Sequence, residues 1–128
     1  MGGGAMNGVS RRSVGDEAEA AAVRHLEAQG FQIQARNYTC RQGELDIVAE
    51  KEGVICFVEV RMRSTSLWGD PAMSVSGAKQ RRVVKAALRY LFEQRLSNRA
   101  VRFDVVSVLG RGAQARVEHL PGAFDAGM

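Results

Sequence analysis

Two carboxylates, Asp46 and Glu59, have the residue types and the spacing needed to hold a divalent metal ion. They lie in two strand-like segments, residues 43–50 and 54–61, and the short turn 51–53 between them predicts a β-hairpin. Each acid is surrounded in sequence by apolar residues, where an unpaired charge is unfavourable. A cationic partner or a metal ion is therefore expected beside this pair.

The chemistry that such a pair supports is hydrolysis of a phosphodiester. Mg²⁺ or Mn²⁺ held by Asp46 and Glu59, with the backbone carbonyl of Val60 as a third ligand, activates water and neutralises phosphoryl oxygens. Arg61 shares the strand face of Glu59 and is suited to stabilise the phosphoryl transition state, but an arginine stays protonated and cannot act as a general base. The alternative is that these charges form an exposed cross-strand pair on a solvated sheet face.

The elements that position the acids are predicted in the order α-β-β-β-α-β-β, an α/β fold with a mixed β-sheet flanked by helices. Residues 1–13 are expected to form a disordered tail and residues 14–128 a single domain. The predicted elements are a helix over 14–29, a short strand over 31–35, a polar loop over 36–42, the hairpin, a loop over 64–75, a basic helix over 76–96, and strands over 101–109 and 115–120.

Three details of local structure follow from the residue pattern. Strand alternation places Glu44, Asp46 and Val48 on one face of the first hairpin strand. Ser76 is the predicted N-cap of the second helix. The apolar stripe predicted to be buried on that helix consists of Val84, Leu88, Leu91 and Phe92.

Length and composition fit one globular domain. The chain has 128 residues, 45% of them hydrophobic, and a formal net charge of +4. No apolar run reaches the roughly 20 residues that span a bilayer, and no signal-peptide core is present, so neither a membrane span nor secretion is predicted. Cys40 and Cys56 lack the spacing of a metal site, which favours a reduced, cytoplasmic protein.

The basic excess is concentrated in the second predicted helix, where it predicts either a solvated face or contact with a polyanion. Trp68, in the preceding loop, is suited either to stack on a base or to cap the core. The residues expected to contact nucleic-acid phosphates are Lys79, Gln80, Arg81, Arg82, Lys85 and Arg63.

Several short strings, in order along the chain, resemble one known family. They are Gly30-Phe31, Arg36-Asn37-Tyr38, Gly43-Glu44-Leu45-Asp46, Phe57-Val58-Glu59-Val60-Arg61, Gly69-Asp70-Pro71, Lys79 and Phe103-Asp104-Val105-Val106. Together they resemble the YraN-like family of small bacterial proteins. That family is similar to the archaeal Holliday-junction resolvases of the restriction-endonuclease-like PD-(D/E)xK superfamily.

The resemblance implies a Mg²⁺-dependent DNA endonuclease, with branched DNA as substrate and a homodimer as the active form. Asp46 and Glu59 fall on the metal-binding acids, Arg61 on the catalytic lysine position, and Glu19 on the acid of the first helix. The chain departs from the pattern at Ala18, where glycine is usual, at Arg61 and at Met62, where threonine is usual. Arg61 in place of lysine leaves roles in binding and charge stabilisation open, but it decides whether the site can catalyse hydrolysis.

Two alternative functions stay open from the sequence. One is a non-catalytic DNA-binding or adaptor module that keeps the nuclease fold. The other is a metal-free scaffold in which the acids pair with Arg61 and Arg63, so that Asp46→Ala or Glu59→Ala destabilises the fold.

Three further polar residues are assigned structural roles. Asp104, inside an apolar strand, is expected to satisfy a buried polar partner rather than bind metal. His25 and His119 have no partner at a spacing typical of a zinc site or a catalytic dyad.

Overall fold

A computed structural model of the protein describes residues 11–63 and 75–126, with side chains from residue 15 onward. The predicted order α-β-β-β-α-β-β is confirmed, although α1 begins inside the predicted tail; residues 1–10 and Trp68 lie outside the described residues. The elements are α1 (Arg11–Ala28), β1 (Gln32–Cys40), β2 (Gly43–Lys51), β3 (Val54–Arg63), α2 (Gly77–Glu93), β4 (Ala100–Leu109), a 3₁₀ turn (Gly112–Gln114) and β5 (Arg116–Phe124).

The five strands form one mixed sheet whose spatial order is the chain order, β1-β2-β3-β4-β5. Neighbouring strands are antiparallel except β3 and β4, which run parallel. A parallel pair requires a crossover connection, and the chain supplies one that contains α2. Within the described ranges, neither helix is long and apolar enough to cross a lipid bilayer.

The two helices cover opposite faces of the sheet. Alanines 18, 21 and 22 and Leu26 of α1 pack with one set of strand residues, which includes Ile47, Val58 and Val106. Residues of α2 pack on the other set. The second cluster contains Leu45, Val48, Ile55, Phe57, Val83, Ala86, Ala87, Tyr90, Leu91 and Phe103.

The predicted loop over 36–42 was wrong, because β1 continues to Cys40. Arg36 pairs with Ile47 and Tyr38 with Leu45 in an antiparallel ladder with β2. The side chains along β1 are half-buried or exposed, as expected of an edge strand. Pairing with a buried neighbour therefore overrides the polar composition that predicted a loop.

The buried stripe predicted for α2 was wrong at two positions. Leu88 is 51% exposed and Phe92 is 70% exposed. The helix instead buries Val83, Ala86, Ala87, Tyr90 and Leu91. Of the predicted stripe, Leu91 is buried and Val84 is half-buried against the same cluster. The face of α2 that packs on the sheet carries small alanines. A buried face predicted from the large side chains alone was therefore rotated about the helix axis relative to the observed one. The predicted N-cap Ser76 is confirmed, since its hydroxyl accepts a hydrogen bond from the Lys79 N–H at 3.2 Å.

Candidate metal and nucleic-acid site

The two acids of the hairpin lie where the regular pairing of β2 and β3 stops. Ile47 pairs with Val58, and Asp46 and Glu59 are the next residues along their strands. On the other side of β2, Asn37 lies between two paired residues of β1 and adopts a φ of 55°, a left-handed conformation that asparagine tolerates. The backbone is thus irregular on both sides of the acid in β2.

Asp46 lies beside α1. Its Oδ2 atom accepts a hydrogen bond from the backbone N–H of Val60 at 2.8 Å. The side chain borders a cavity of about 550 Å³ with Glu19 of α1, whereas Val48 packs beneath α2. The expectation that Asp46 and Val48 share one strand face was therefore wrong. Leu45 and Val48 pack in the same cluster although they are three positions apart, an odd spacing that locates the break in alternation at Asp46.

Glu59 points to the start of α2. Its side chain is 2% exposed, and its Oε1 atom lies 3.4 Å from the Lys79 ammonium nitrogen. Lys79 lies in the first turn of α2, where Ser76 caps the helix. The structure therefore brings Lys79, predicted only as a phosphate contact, onto one of the acids.

Burial disfavours the charged form of both acids. It raises the pKa of Asp46, although the Val60 N–H and Lys79 oppose the rise. Burial and, secondly, the neighbouring Asp46 raise the pKa of Glu59 to about 7, again against the effect of Lys79. One ammonium group thus does not compensate the burial of Glu59 and the partial burial of Asp46.

The donor set suits a small divalent cation. Two carboxylates supply hard oxygen ligands, and a metal ion would offset the repulsion that raises their pKa values. Within the described ranges, no group of three or more His, Cys, Asp or Glu side chains is arranged to hold a metal ion. A bound ion would complete its shell with backbone oxygen, water or phosphate, as Mg²⁺ commonly does.

The cavity beside Asp46 is acidic. It is bordered by Asp16, Glu19, Glu44 and Asp46, and none of the described residues that line it is basic. Such a cavity attracts a cation and, without one, repels a phosphate. Its electrostatic character fits a metal ion better than a bare anion.

Glu19 borders this cavity, but its carboxylate already has protein partners. Its Oε1 atom accepts hydrogen bonds from Arg36 Nε at 2.9 Å and from Asn37 Nδ2 at 3.1 Å. The negative charge of Glu19 is also one of the smaller influences that raise the pKa of Asp46. Glu19 therefore lies in the same cavity as Asp46, and residues of β1 fix the position of its carboxylate.

Arg61 follows Glu59 on β3 and is half-buried. Among the described residues it has no hydrogen-bond or ion-pair partner. Arg63 pairs with Glu118 of β5, and its side chain is only 8% exposed. The pairing of the two acids with Arg61 and Arg63, expected for a metal-free scaffold, does not occur; Lys79 is the partner of Glu59 instead.

The other candidate phosphate contacts lie in three different settings. Arg81, Arg82 and Lys85 are exposed on α2. Gln80 is half-buried, and its side-chain amide donates to the Val75 carbonyl at 2.8 Å, so it closes the start of the helix. Arg63 lies apart from both, on β3.

A second cavity, of about 270 Å³, adjoins the acidic one. Lys79 and Arg82 border it from α2, and it shares Thr39 and Glu44 with the acidic cavity. The β1–β2 turn approaches α2 closely here, because a Cβ at Gly43 would lie 3.2 Å from the Arg82 carbonyl oxygen. An acidic cavity beside α1 therefore adjoins a second cavity that two cations border at the start of α2.

Asp104 forms a separate buried centre. Arg102 donates two hydrogen bonds of 2.8 Å to its carboxylate, and the Gly122 N–H donates a third at 3.0 Å. His119 Nε2 lies 2.7 Å from Asp104 Oδ2. The expectation that Asp104 satisfies a buried polar partner is confirmed. His119, whose spacing indicated neither a zinc site nor a catalytic dyad, is a further partner of Asp104 that the sequence did not predict.

Three residues of the site were missed or underestimated from the sequence. Arg36 and Asn37 were read as loop, yet they orient Glu19. Lys79 was assigned to phosphate alone. The only sequence signal for these positions was their presence in the strings that carry the family resemblance, since their contacts join segments that are far apart in the chain.

The fold and site define a class: a mixed five-stranded sheet between two helices, with a buried acid, Glu59, and a half-buried one, Asp46, at the irregular end of a hairpin. Sequence comparison then identifies the family. Residues 18–108 match the model of the family described as "Uncharacterised protein family UPF0102", and the chain belongs to that family.

Relatives from several bacteria cover nearly the whole chain. A UPF0102 protein of Myxococcus xanthus is 67% identical over 118 residues, which is 92% of this chain and 94% of the relative. UPF0102 proteins of Geobacter metallireducens and Pseudomonas fluorescens are 42% and 41% identical over 89% and 94% of this chain and 93% and 99% of their own lengths. The predicted membership in the YraN-like family, which is UPF0102, is thereby confirmed.

Proposed function

We propose that this protein is a metal-dependent DNA endonuclease of the restriction-endonuclease-like superfamily. The observation that supports this most is the under-compensated acid pair: Glu59 is buried, Asp46 is half-buried, and burial raises the pKa of both. Among the described residues only Glu59 of the two has an ion-pair partner, Lys79. Acids that serve only the fold are normally given enough donors to hold their charge. A pair without them is typical of a site that binds a cation.

The residues of the site divide the work of phosphodiester hydrolysis. Mg²⁺ or Mn²⁺ held by Asp46 and Glu59 would activate water and neutralise the phosphoryl oxygens. Glu19, fixed by β1, positions polar groups on the α1 side of the site. Arg61 stabilises negative charge on the phosphate.

DNA approaches along α2 in this proposal. Arg81, Arg82 and Lys85 are exposed on that helix and supply contacts to the phosphate backbone. Branched DNA is the proposed substrate, and a homodimer would give the paired cuts that such a substrate requires. Cys40 and Cys56 are both free thiols, which fits a cytoplasmic protein.

The test is cleavage of four-way junction, flap, single-stranded and duplex DNA with Mg²⁺ or Mn²⁺. Asp46→Asn and Glu59→Gln should each abolish metal-dependent cutting, a loss of at least about a hundredfold, because each removes a metal ligand. Asp16→Asn, an exposed acid at the rim of the same cavity, is the matched control and should retain cutting. Equal cutting by wild type and both ligand variants would contradict the proposal.

A second candidate function is a non-catalytic DNA-binding module. It is favoured by Arg61, which stands at the position of the catalytic lysine and cannot act as a base. This candidate predicts gel-shift binding that weakens in Arg82→Ala and Lys85→Ala, with no cutting by wild type or by Arg61→Lys under any metal. Cutting that depends on Asp46 and Glu59 would exclude it.

A further inference from the structure

Lys79 occupies the position next to Glu59 that a metal ion bound to this acid would need. Its ammonium nitrogen lies 3.4 Å from Glu59 Oε1, and its charge lowers the pKa of both Glu59 and Asp46. A lysine and a divalent cation cannot both occupy this position, because two like charges a few ångströms apart repel strongly inside a protein. One of them must leave when the other binds.

Only the lysine side chain is free to leave. The Glu59 side chain is 2% exposed and is fixed in the centre of the sheet, whereas the Lys79 side chain is 35% exposed on a flexible four-carbon stem. The Lys79 backbone stays in place, because its N–H is bonded to Ser76 Oγ at 3.2 Å. A change of side-chain rotamer alone is enough to separate the ammonium group from the acid.

The second cavity offers the displaced ammonium group a place. Lys79 and Arg82 border this cavity of about 270 Å³, and it adjoins the acidic cavity across Thr39 and Glu44. Two cations at the start of a capped helix form a favourable environment for a phosphate oxygen. An ammonium group released from Glu59 can therefore pair with a phosphate next to the acids.

We infer that Lys79 is a place-holder for the divalent cation: it neutralises Glu59 in the metal-free protein and withdraws toward the substrate phosphate when a metal ion binds. The inference rests on the proposed metal site at Asp46 and Glu59. It adds a consequence that the metal site alone does not have, because metal binding then frees a cation for the substrate. Lys79 becomes a positioning residue in the apo-protein and a phosphate ligand in the loaded one.

The experiment is calorimetric titration of the full chain with Mn²⁺ alone at pH 8, above the pKa of about 7 of Glu59. Lys79→Met keeps the aliphatic stem and removes the competing charge, so we expect Mn²⁺ to bind about tenfold more tightly than to wild type. Lys85→Met removes the same charge from an exposed position on the same helix and should change the affinity by less than about twofold. Lys79→Arg keeps a cation and should behave like wild type.

A second measurement, the melting temperature with and without Mn²⁺, keeps the test valid if Lys79→Met is less stable than wild type. If the variant melts at a lower temperature, saturating Mn²⁺ should raise its melting temperature by more than it raises that of wild type. Mn²⁺ affinity in Lys79→Met equal to or weaker than that of Lys85→Met would overturn the place-holder role. Mn²⁺ binding that persists unchanged in Glu59→Gln would instead overturn the metal site itself, so the two failures are distinguishable.

Discussion

Two buried acidic centres in one sheet are treated in opposite ways. Asp104 on β4 is 0% exposed and is surrounded by donors from Arg102, His119 and Gly122. Burial alone would raise its pKa, but the donors outweigh burial and lower the pKa to about 2. Burial and Asp46 instead raise the pKa of Glu59, on the adjacent strand β3, to about 7.

The difference separates an acid that stabilises the fold from one that is reserved for a ligand. Asp104 joins β4 to β5 through hydrogen bonds that favour its charged form. Glu59 and Asp46 are held at a cost to the fold, which is expected where function requires a strained arrangement. A buried carboxylate is therefore informative about function only after its donors have been counted.

The largest expected effect is at the saturated centre. Asp104→Asn leaves Arg102 and His119 facing a neutral amide, so the free energy of unfolding should fall by about 3–5 kcal/mol. Urea denaturation measures it. Asp46→Asn, an equivalent change at the other centre, should leave stability unchanged or increase it, and equal losses in both variants would remove the contrast.

The pH dependence of stability should differ between the centres, with a somewhat smaller effect. The folded state holds a proton on Glu59 up to about pH 7, whereas its ordinary pKa is 4.5, so stability should fall by about 2–3 kcal/mol as pH rises from 4.5 to 7. Asp104 acts in the opposite sense below its ordinary pKa of 3.8, and the stability that it contributes is lost as pH falls toward 2.

Glu59→Gln provides the control for this pH profile. The variant should flatten the decline between pH 4.5 and 7 and should be more stable than wild type at pH 8 by about 1–2 kcal/mol, because no buried charge remains at that position. The loss of stability of the variant below pH 3.8, which depends on Asp104, should be the same as in wild type. If the stability of Glu59→Gln still falls between pH 4.5 and 7, groups other than Glu59 cause the pH dependence.

The smallest expected effect sharpens the role of Lys79. Gly43→Ala places a Cβ 3.2 Å from the Arg82 carbonyl oxygen, so the start of α2 must shift by a few tenths of an ångström. Stability at neutral pH should fall by less than about 1 kcal/mol, and the decline between pH 4.5 and 7 should steepen as Lys79 moves off Glu59. Gly15→Ala, where an added Cβ meets nothing within 4 Å, is the control and should keep the wild-type profile.

Local pattern in the sequence was enough to predict the hairpin, the order of elements and the acid pair. Alternating segments and a short turn specify β2 and β3 without reference to the rest of the chain. The end of β1 was not predictable in this way, because Tyr38 is held in the strand by pairing with Leu45. Propensity alone read that segment as a loop.

The partners of the acids could not be predicted, because they depend on tertiary structure. Lys79 reaches Glu59 only after a crossover has returned the chain to the sheet, and His119 reaches Asp104 only across two paired strands. The exposure of Leu88 and Phe92 has the same origin, since close packing of Ala86 and Ala87 decides which face of α2 is buried. Sequence periodicity therefore predicts that an amphipathic helix exists more reliably than it predicts which face of that helix is buried.

The parallel pairing of β3 with β4 has a consequence for the order of folding. The β2–β3 hairpin closes over a short turn and can form within microseconds, whereas the β3–β4 pair must wait for a long connection to close. We expect Glu59 to remain hydrated on an open hairpin during that interval. Packing of α2 on the sheet would then bring the Lys79 ammonium group to Glu59 in the same step that removes its water.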